Sequence, residues 1–229
     1  MINKVVSFGC SFSCWRQDFT KGFVDLVADE LGVPFYNHSI PGNSNENIQY
    51  EFNTKLHKNE LSDSLILLQS TFLTRLSYYD SKVKRNISFQ NLDGRQKGDF
   101  IPTNFNVHFS DLNEMDIIDY YHSKQEYFKL YQSYIHNDVY ALNKLYYELF
   151  NIQSSVEKIG SKIIFLYFDK WYTPSHMIDK INFIKFDKEL SCLNWAISND
   201  LTYSKKDIHL SEEGNRILAE KISKGHNMV

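Results

Sequence analysis

Hydroxyl, imidazole and carboxylate side chains lie near the two ends of the chain, in patterns that suit nucleophilic chemistry. Ser11 stands in the segment FGCSFS, just after Gly9, which permits a sharp turn. Asp207 and His209 lie close together in the segment KDIHLSEEGN near the C-terminus. A serine becomes a nucleophile when a histidine accepts its proton and a carboxylate orients that histidine. These side chains are therefore a candidate nucleophile, general base and orienting acid.

Two further polar segments could supply hydrogen-bond donors to the same reaction. The segment SIPGNSNENI contains Gly42, where the backbone can approach a reacting atom closely, and Asn43. The segment QSTFLTR offers the hydroxyls of Ser70 and Thr71 and the guanidinium of Arg75. Guanidinium groups match carboxylates and oxyanions, so Arg75 is either a functional residue or the partner in a salt bridge at the sheet edge.

The hydrophobic pattern predicts strands and helices that alternate along the chain. Short apolar runs predict strands at 4–8, 34–40, 64–70 and 162–168, with a weaker fifth strand at 181–186. Helical spacing predicts helices from Asp18 as N-cap to Gly32, from Ser44 as N-cap to Leu56, over 142–159 and from about Ser211 onward. The expected fold is a three-layer α/β/α sandwich with a parallel sheet of about five strands in a flavodoxin-like arrangement. Ligands bind beyond the carboxyl ends of such strands, where the four polar segments fall.

The segment at about 76–120 interrupts this alternation. Its sequence is polar and rich in turn residues, which predicts a functional loop or a small hairpin excursion, lid-like, within a single domain over 1–229. Aromatic residues make up 15% of the chain, and many lie in this segment and in the one that follows it. We expect the aromatic-rich middle segment to pack over the sheet and to contribute specificity.

Composition excludes several classes of partner. The net charge of −3 gives no electrostatic case for nucleic acid or for an anionic membrane. No apolar run approaches the ~20 residues that span a bilayer, and no signal peptide is evident, so a cytoplasmic location is expected. Neither the cysteines, Cys10, Cys14 and Cys192, nor the other histidines have metal-ligand spacing. We expect no metal, no cofactor and no disulfide framework, and the oligomeric state is left open.

The four segments, in this order, resemble the sequence blocks of the SGNH hydrolases, also called the GDSL esterase family. The first block, Gly-Asp-Ser, is similar to Gly9-Cys10-Ser11, and the glycine of the second block is similar to Gly42. The third block, Gly-x-Asn-Asp, falls on 69–72. The last block, Asp-x-x-His-Pro with a downstream glycine, falls on 207–214. The resemblance spans 5–222, with the middle segment outside it.

This resemblance implies that Ser11 is the nucleophile, that His209 is the general base and that Asp207 orients His209. Cys10 stands where the family has aspartate, and its thiol is an alternative nucleophile. The spacing between Asp207 and His209 is one residue shorter than in the family, so Asp200 is an alternative orienting residue.

The resemblance also implies an oxyanion hole. Its donors would be the backbone N–H groups of Ser11 and Gly42 and a side chain from the third block. Thr71 stands where the family has asparagine, and Ser70 or Asn43 could take the place of that donor. Candidate substrate-binding residues are Arg75, Asn43 and Trp15. Trp15 is either a surface on which a sugar ring could stack or a residue of the core.

The expected activity is hydrolysis of an O-acyl ester, with a small acyl group such as acetyl and possibly a carbohydrate alcohol, through an acyl-enzyme. The partner would then be a small-molecule or glycan ester. Two alternatives stay open. The same residues would serve an acyltransferase, and the replacement of the family aspartate and asparagine would suit a binding or structural protein with weak catalysis.

Overall fold

The computed structural model describes residues 2–14, 21–73, 75–80, 85–91, 100–102, 130, 138–168, 180–186, 190–204 and 207–225. In chain order its elements are β1 (Lys4–Phe8), α1 (Phe23–Leu31), β2 (Phe35–Asn37), α2 (Asn45–His57), β3 (Ser64–Gln69), β4 (Arg75–Asp80), β5 (Arg85–Asn91), β6 (Phe100–Pro102), α3 (Asp138–Lys158), β7 (Lys162–Leu166), α4 (Cys192–Ser198) and α5 (Glu212–Gly225).

A parallel sheet in the order β2-β1-β3-β7 forms the centre of the described structure. The predicted fifth strand is present only as a short extension of this sheet. Phe183 forms an isolated parallel bridge with Phe165 of β7, and the Phe165 N–H donates to the Asn182 carbonyl at 2.9 Å. The resulting order is flavodoxin-like, as the alternation of strands and helices predicted.

Apolar side chains cover both faces of the sheet. On one face Val5, Leu65 and Leu67 pack in a cluster with residues of α1, α4 and α5. On the other face Val6 and Ile66 pack with residues of α2 and α3. Every residue of β3 is buried, which is why its sequence is apolar without alternation. The three-layer α/β/α prediction is therefore confirmed.

Helix α1 lacks its predicted N-cap in the described residues, and helix α4 was not predicted. The described part of α1 begins behind Gly22, whose N–H donates to the Asp25 carboxylate at 3.1 Å, and the predicted N-cap Asp18 lies outside the described residues. Helix α4 was not predicted, because its length of seven residues is too short for a helical period to emerge. By contrast, Ser44 caps α2 as predicted and accepts from the Asn47 N–H at 3.2 Å.

The segment predicted as a loop or small hairpin contains a second sheet. Its strands are antiparallel and lie in the order β4-β5-β6. Residues 81–84, 92–99 and 103–129 of the surrounding chain lie outside the described residues, so the lid-like role of this segment stays a prediction. In the ranges that the structure covers, every helix is too short or too polar to cross a membrane.

Candidate active site

The turn that carries Ser11 begins where β1 ends. The Ser13 N–H donates to the Cys10 carbonyl at 3.0 Å and closes the turn, with the partly exposed Ser11 between them. At Gly9 a Cβ atom would lie 2.8 Å from the Gln69 Oε1 atom and 2.9 Å from the Ser13 Oγ atom. Since real Cβ contacts are essentially never that short, a side chain at Gly9 would displace the turn.

Gln69, the last residue of β3, forms hydrogen bonds to this turn. Its buried Oε1 atom accepts from the Cys10 N–H at 3.3 Å and from the Ser13 hydroxyl at 2.6 Å. Its Nε2 group donates to the Cys10 Sγ atom at 2.9 Å and to the Ser70 carbonyl at 3.0 Å. The sequence analysis assigned no role to Gln69. A glutamine at the end of an otherwise apolar strand was the signal that could have identified it.

A short loop between α4 and α5 carries Asp207 and His209. An antiparallel bridge joins Thr202 to Leu210 at its base, and the Tyr203 N–H donates to the His209 carbonyl at 2.7 Å. The Asp207 N–H donates to the Ser204 hydroxyl at 3.0 Å. These hydrogen bonds set the direction of the loop. The backbone positions of Asp207 and His209 are therefore fixed.

Ser11, His209 and Asp207 form one chain of hydrogen bonds. The His209 Nε2 atom lies 2.8 Å from the Ser11 Oγ atom, and the His209 Nδ1 atom lies 2.7 Å from the Asp207 Oδ1 atom. The His209 backbone N–H donates to the same carboxylate oxygen at 3.1 Å. An ionised carboxylate only accepts hydrogen bonds, so Nδ1 carries the imidazole proton and Nε2 is left to accept the Ser11 hydroxyl proton.

Two residues that the sequence analysis did not identify lie beside this chain of hydrogen bonds, one against the His209 ring and one at the start of the helix that follows it. The Phe12 ring lies 4.8 Å from the His209 ring and 4.6 Å from the Phe168 ring, centroid to centroid. Asn215 of α5 accepts from the Phe23 N–H at 3.0 Å and donates to the Ser211 carbonyl at 2.9 Å. Phe12 thereby limits rotation of the imidazole, and Asn215 ties the start of α5 to the start of α1. A cleft beside these groups is lined by Ser11, Phe12, Cys14, Gly22, His209, Leu210 and Asn215.

The loops after β2 and β3 meet beside the turn that carries Ser11. Gly42 has a left-handed backbone with φ of 71°, which suits glycine. The Asn43 side chain is buried, and its Nδ2 group donates to the Gly9 carbonyl at 3.3 Å. Arg75 reaches across with its Nη1 group and donates to the Thr71 hydroxyl at 2.8 Å and to the Asn43 carbonyl at 3.3 Å.

Not every candidate reaches the site. Ser70 is buried and its hydroxyl turns toward the Leu166 carbonyl, 3.4 Å away. Asp200 lies exposed in the turn after α4, whereas Asp207 holds the imidazole. Trp15 lies outside the described residues, so its predicted role is not addressed. Within the described ranges, no three His, Cys, Asp or Glu side chains are grouped as metal ligands.

All three cysteines are free thiols, and their surroundings make them poor nucleophiles. Cys10 is fully buried, with its Sγ atom accepting from Gln69. Burial, with a smaller contribution from Cys10, raises the pKa of the Cys14 thiol to about 12. Burial also raises the pKa of Cys192 well above its ordinary value. The structure therefore places the Ser11 hydroxyl, rather than the Cys10 thiol, against the His209 ring.

We expect native protein at pH 8 to resist iodoacetamide, because the thiolate is the species that reacts, Cys10 and Cys192 are fully buried, and burial raises the pKa of the Cys14 thiol. Mass spectrometry should find the folded protein almost unmodified and the denatured protein alkylated at Cys10, Cys14 and Cys192. Rapid alkylation of Cys10 in folded protein, together with loss of activity, would instead support the thiol nucleophile.

Gly214 allows α5 to pack against the loop that precedes the site. A Cβ atom at Gly214 would lie 2.3 Å from the Leu201 carbonyl oxygen. The same carbonyl accepts hydrogen bonds from the Ser211 N–H at 2.8 Å and from the Ser211 hydroxyl at 3.0 Å. The backbone there has little room to move without breaking these bonds.

We expect Gly214→Ala to lower the free energy of unfolding by about 1–3 kcal/mol, the usual cost of overpacking. Urea denaturation followed by circular dichroism measures this change. Gly225→Ala is the matched control on the same helix, since a Cβ atom there would meet no atom within 4 Å. Equal stability of the two variants would show that the contact with Leu201 relaxes at no cost.

Comparisons with known proteins identify the fold. A scan against protein-family models gives no match, and a search of curated proteins gives none either. Among solved structures, a protein described as lipolytic and of the G-D-S-L family, from Desulfitobacterium hafniense DCB-2, aligns with a TM-score of 0.51 at 12% identity over 97% of this chain and 99% of that one.

Two further structures align over nearly the whole chain. A Bacillus subtilis protein whose name states no activity gives a TM-score of 0.50 at 11% identity, over 100% of this chain and 57% of that one. A lipase/acylhydrolase from Enterococcus faecalis gives a TM-score of 0.46 at 15% identity, over 97% of this chain and 94% of that one. At such low identity, the likeness to the Desulfitobacterium hafniense and Bacillus subtilis structures, with TM-scores of 0.51 and 0.50, is evidence for the fold alone. The chain therefore has the fold of the SGNH, or GDSL-type, hydrolases, as the order of its four polar segments predicted.

Proposed function

We propose that the protein is a serine hydrolase that cleaves O-acyl esters with Ser11 as its nucleophile. The observation that carries this proposal is the chain of hydrogen bonds from Ser11 through His209 to Asp207, at 2.8 and 2.7 Å. Its members lie 198 residues apart in sequence and meet at the carboxyl edge of the sheet. Neither packing of the core nor helix capping requires such an arrangement, whereas nucleophilic catalysis does.

The reaction follows from the positions of these atoms. The Ser11 oxygen attacks the ester carbonyl carbon while its proton moves to the His209 Nε2 atom. The alcohol then leaves with that proton, and the acyl group stays on Ser11 as an ester. Water attacks this acyl-enzyme as His209 takes a proton from it, and release of the acid restores Ser11. Asp207 holds the imidazole ring and stabilises the imidazolium that forms in each half.

The tetrahedral intermediates place a negative charge on the former carbonyl oxygen. Among the described residues, none accepts a hydrogen bond from the Ser11 backbone N–H, so this donor is available to that oxygen. The proposed oxyanion hole combines it with the Gly42 N–H and the Thr71 hydroxyl. One such donor supplies about 2.7–4 kcal/mol of transition-state stabilisation in other serine hydrolases.

A small acyl group suits the cleft beside Ser11. Its lining in the described part of the chain includes Gly22, Cys14 and Asn215, and it does not form the contiguous aliphatic tunnel that a long acyl chain would need. We therefore propose acetyl or a similarly short group as the acyl part. A carbohydrate alcohol as the leaving group stays a prediction from the sequence.

Labelling with a fluorophosphonate probe tests this proposal. We expect stoichiometric labelling that maps to the peptide containing Ser11, together with turnover of p-nitrophenyl acetate that exceeds turnover of p-nitrophenyl octanoate. Heat-denatured protein is the control, because labelling should require the folded site. Products formed with added alcohols distinguish hydrolysis from acyl transfer. Folded protein that shows neither label nor turnover would favour a binding role instead.

A further inference from the structure

Thr71 is fixed at the carboxyl end of β3 by hydrogen bonds to its backbone. The Thr71 N–H donates to the Asn45 Oδ1 atom at 2.8 Å, and the Asn45 Nδ2 group donates to the Thr71 carbonyl at 3.1 Å. The buried carboxamide of Asn45, the first residue of α2, is thus hydrogen-bonded to both the N–H and the carbonyl of Thr71. With 1% of Thr71 exposed, its position is set before any ligand arrives.

Arg75 determines which way the Thr71 hydroxyl points. The Arg75 Nη1 group donates to the Thr71 Oγ1 atom at 2.8 Å. A guanidinium has donors only, so the hydroxyl oxygen must accept from it and direct its own proton elsewhere. In the part of the chain that the structure describes, no acceptor takes that proton. The result is a buried, oriented donor whose partner is not a described protein group.

The strand that precedes Thr71 is hydrogen-bonded to the turn that carries Ser11, because Gln69 accepts from the Cys10 N–H and from the Ser13 hydroxyl. Strands β1 and β3 are neighbours in which Phe8 pairs with Leu68, so Ser11 and Thr71 each follow a paired residue by three positions. The guanidinium of Arg75 also donates to the Asn43 carbonyl at 3.3 Å. Asn43 in turn donates to the Gly9 carbonyl at 3.3 Å. Arg75 therefore links the Thr71 hydroxyl, through Asn43, to Gly9 at the start of the turn that carries Ser11.

We infer that Arg75 is a positioning residue that stabilises the oxyanion through the hydroxyl of Thr71 rather than by touching the substrate. This inference rests on the proposed function. The guanidinium holds the Thr71 proton toward the oxygen that becomes negative. It also polarises the O–H bond, since hydrogen bonds in a chain strengthen one another and charged donors make the stronger ones.

We expect Arg75 to act on kcat. Negative charge on the carbonyl oxygen develops only in the transition state, so a polarised donor gains more there than in the bound ester. A guanidinium that instead bound a carboxylate of the substrate would act on KM and only for anionic esters. These two roles of the same side chain therefore give different kinetic signatures.

A double-mutant cycle with p-nitrophenyl acetate tests the inference. We expect Thr71→Val to lower kcat by about 10²–10³-fold, as loss of an oxyanion donor does elsewhere. Arg75→Met should lower kcat by roughly 10- to 100-fold with little change in KM, as expected for one member of a coupled hydrogen-bond network. The double variant should be no slower than Thr71→Val alone, because Arg75 has nothing to act on once the hydroxyl is gone.

Three controls keep the cycle interpretable. Thr71→Ser retains the hydroxyl and should retain most activity, and Arg75→Lys retains the charge and should lie between wild type and Arg75→Met. Arg216→Met removes an exposed arginine paired with Glu213 and Glu220 on α5 and should leave kcat unchanged. Rates are expressed per site titrated with the fluorophosphonate probe, so a partly unfolded variant does not imitate a catalytic defect.

Each outcome supports or overturns a specific statement. Multiplicative losses in the double variant would show that Arg75 acts independently of Thr71 and would overturn the inference. A rise in KM confined to the hemisuccinate ester of p-nitrophenol would assign Arg75 to substrate carboxylate binding and would also overturn it. An active wild type whose Arg75 variants lose nothing refutes the inference alone. A wild type without label or turnover refutes the proposed function and this inference with it.

Discussion

Replacing Ser11 with alanine should lower kcat for p-nitrophenyl acetate by about 10⁴-fold or more, as loss of the nucleophile does in other serine hydrolases. The variant loses the atom that attacks the carbonyl carbon, so no acyl-enzyme forms. Stability should change by less than about 0.5 kcal/mol, because Ser11 is partly exposed in a turn and its hydroxyl contacts only the His209 ring among the described groups. Steady-state kinetics, probe labelling and urea denaturation together measure these effects.

Cys10→Ala is the matched control for this prediction. It keeps the Ser11 hydroxyl and removes the alternative nucleophile next to it. The variant should stay within about tenfold of wild-type kcat while losing stability, since Cys10 is fully buried and its Sγ atom accepts from Gln69 at 2.9 Å. If Ser11→Ala keeps its activity and Cys10→Ala loses it, the nucleophile is the thiol and our mechanism is wrong.

The central sheet could be predicted from the sequence because its strands are buried on both faces. The apolar runs KVVSF and SLILLQ have no polar alternation, and such runs leave few structures other than a covered parallel strand. The end of α1 at Gly32 and the start of α2 at Ser44 could be predicted because helix caps follow local rules. A left-handed C-cap and a side-chain N-cap are local requirements, and the residue types that satisfy them are few.

Elements that depend on distant contacts could not be predicted in this way. Gly22 precedes α1 and has no side chain to cap it. The N–H of Phe23, the first residue of α1, instead donates to the Asn215 side chain, 192 residues away in sequence. Gln69 bonds to Cys10 across 59 residues. The periodicity of apolar residues indicates which face of a helix or strand is buried. It does not indicate which polar group from a distant part of the chain completes a turn.

The location of the candidate site could be predicted from the sequence, because parallel strands place their carboxyl ends on one edge of the sheet. That rule alone brings the loops after β1, β2 and β3 together. The sequence did not distinguish the two candidates for the orienting acid, since Asp200 and Asp207 both lie near His209 in sequence. In the structure a bridge joins Thr202 to Leu210 at the base of the loop, and Asp207 rather than Asp200 contacts the imidazole.

Asp207→Asn should lower kcat by about 10⁴-fold with a small change in KM, the loss that follows when the orienting carboxylate of a triad becomes an amide. An asparagine there can donate its N–H₂ to the His209 Nδ1 atom, which moves the imidazole proton to Nε2. The histidine then donates toward Ser11 instead of accepting its proton, and general-base catalysis fails. The loop itself should persist, because the hydrogen bonds that set its direction, from the Asp207 N–H to the Ser204 hydroxyl and from the Tyr203 N–H to the His209 carbonyl, do not involve the Asp207 side chain.

Asp200→Asn is the matched control, and it should leave kcat within about twofold of wild type because exposed substitutions away from a site have little effect. Asp200 is exposed, and its left-handed backbone with φ of 54° is one that asparagine tolerates. The same chemical change at two carboxylates close to His209 in sequence therefore isolates the hydrogen bond to its ring. Should Asp200→Asn be the inactive variant, the loop that carries His209 must rearrange in the working enzyme, and the 2.7 Å contact with Asp207 would not be the catalytic one.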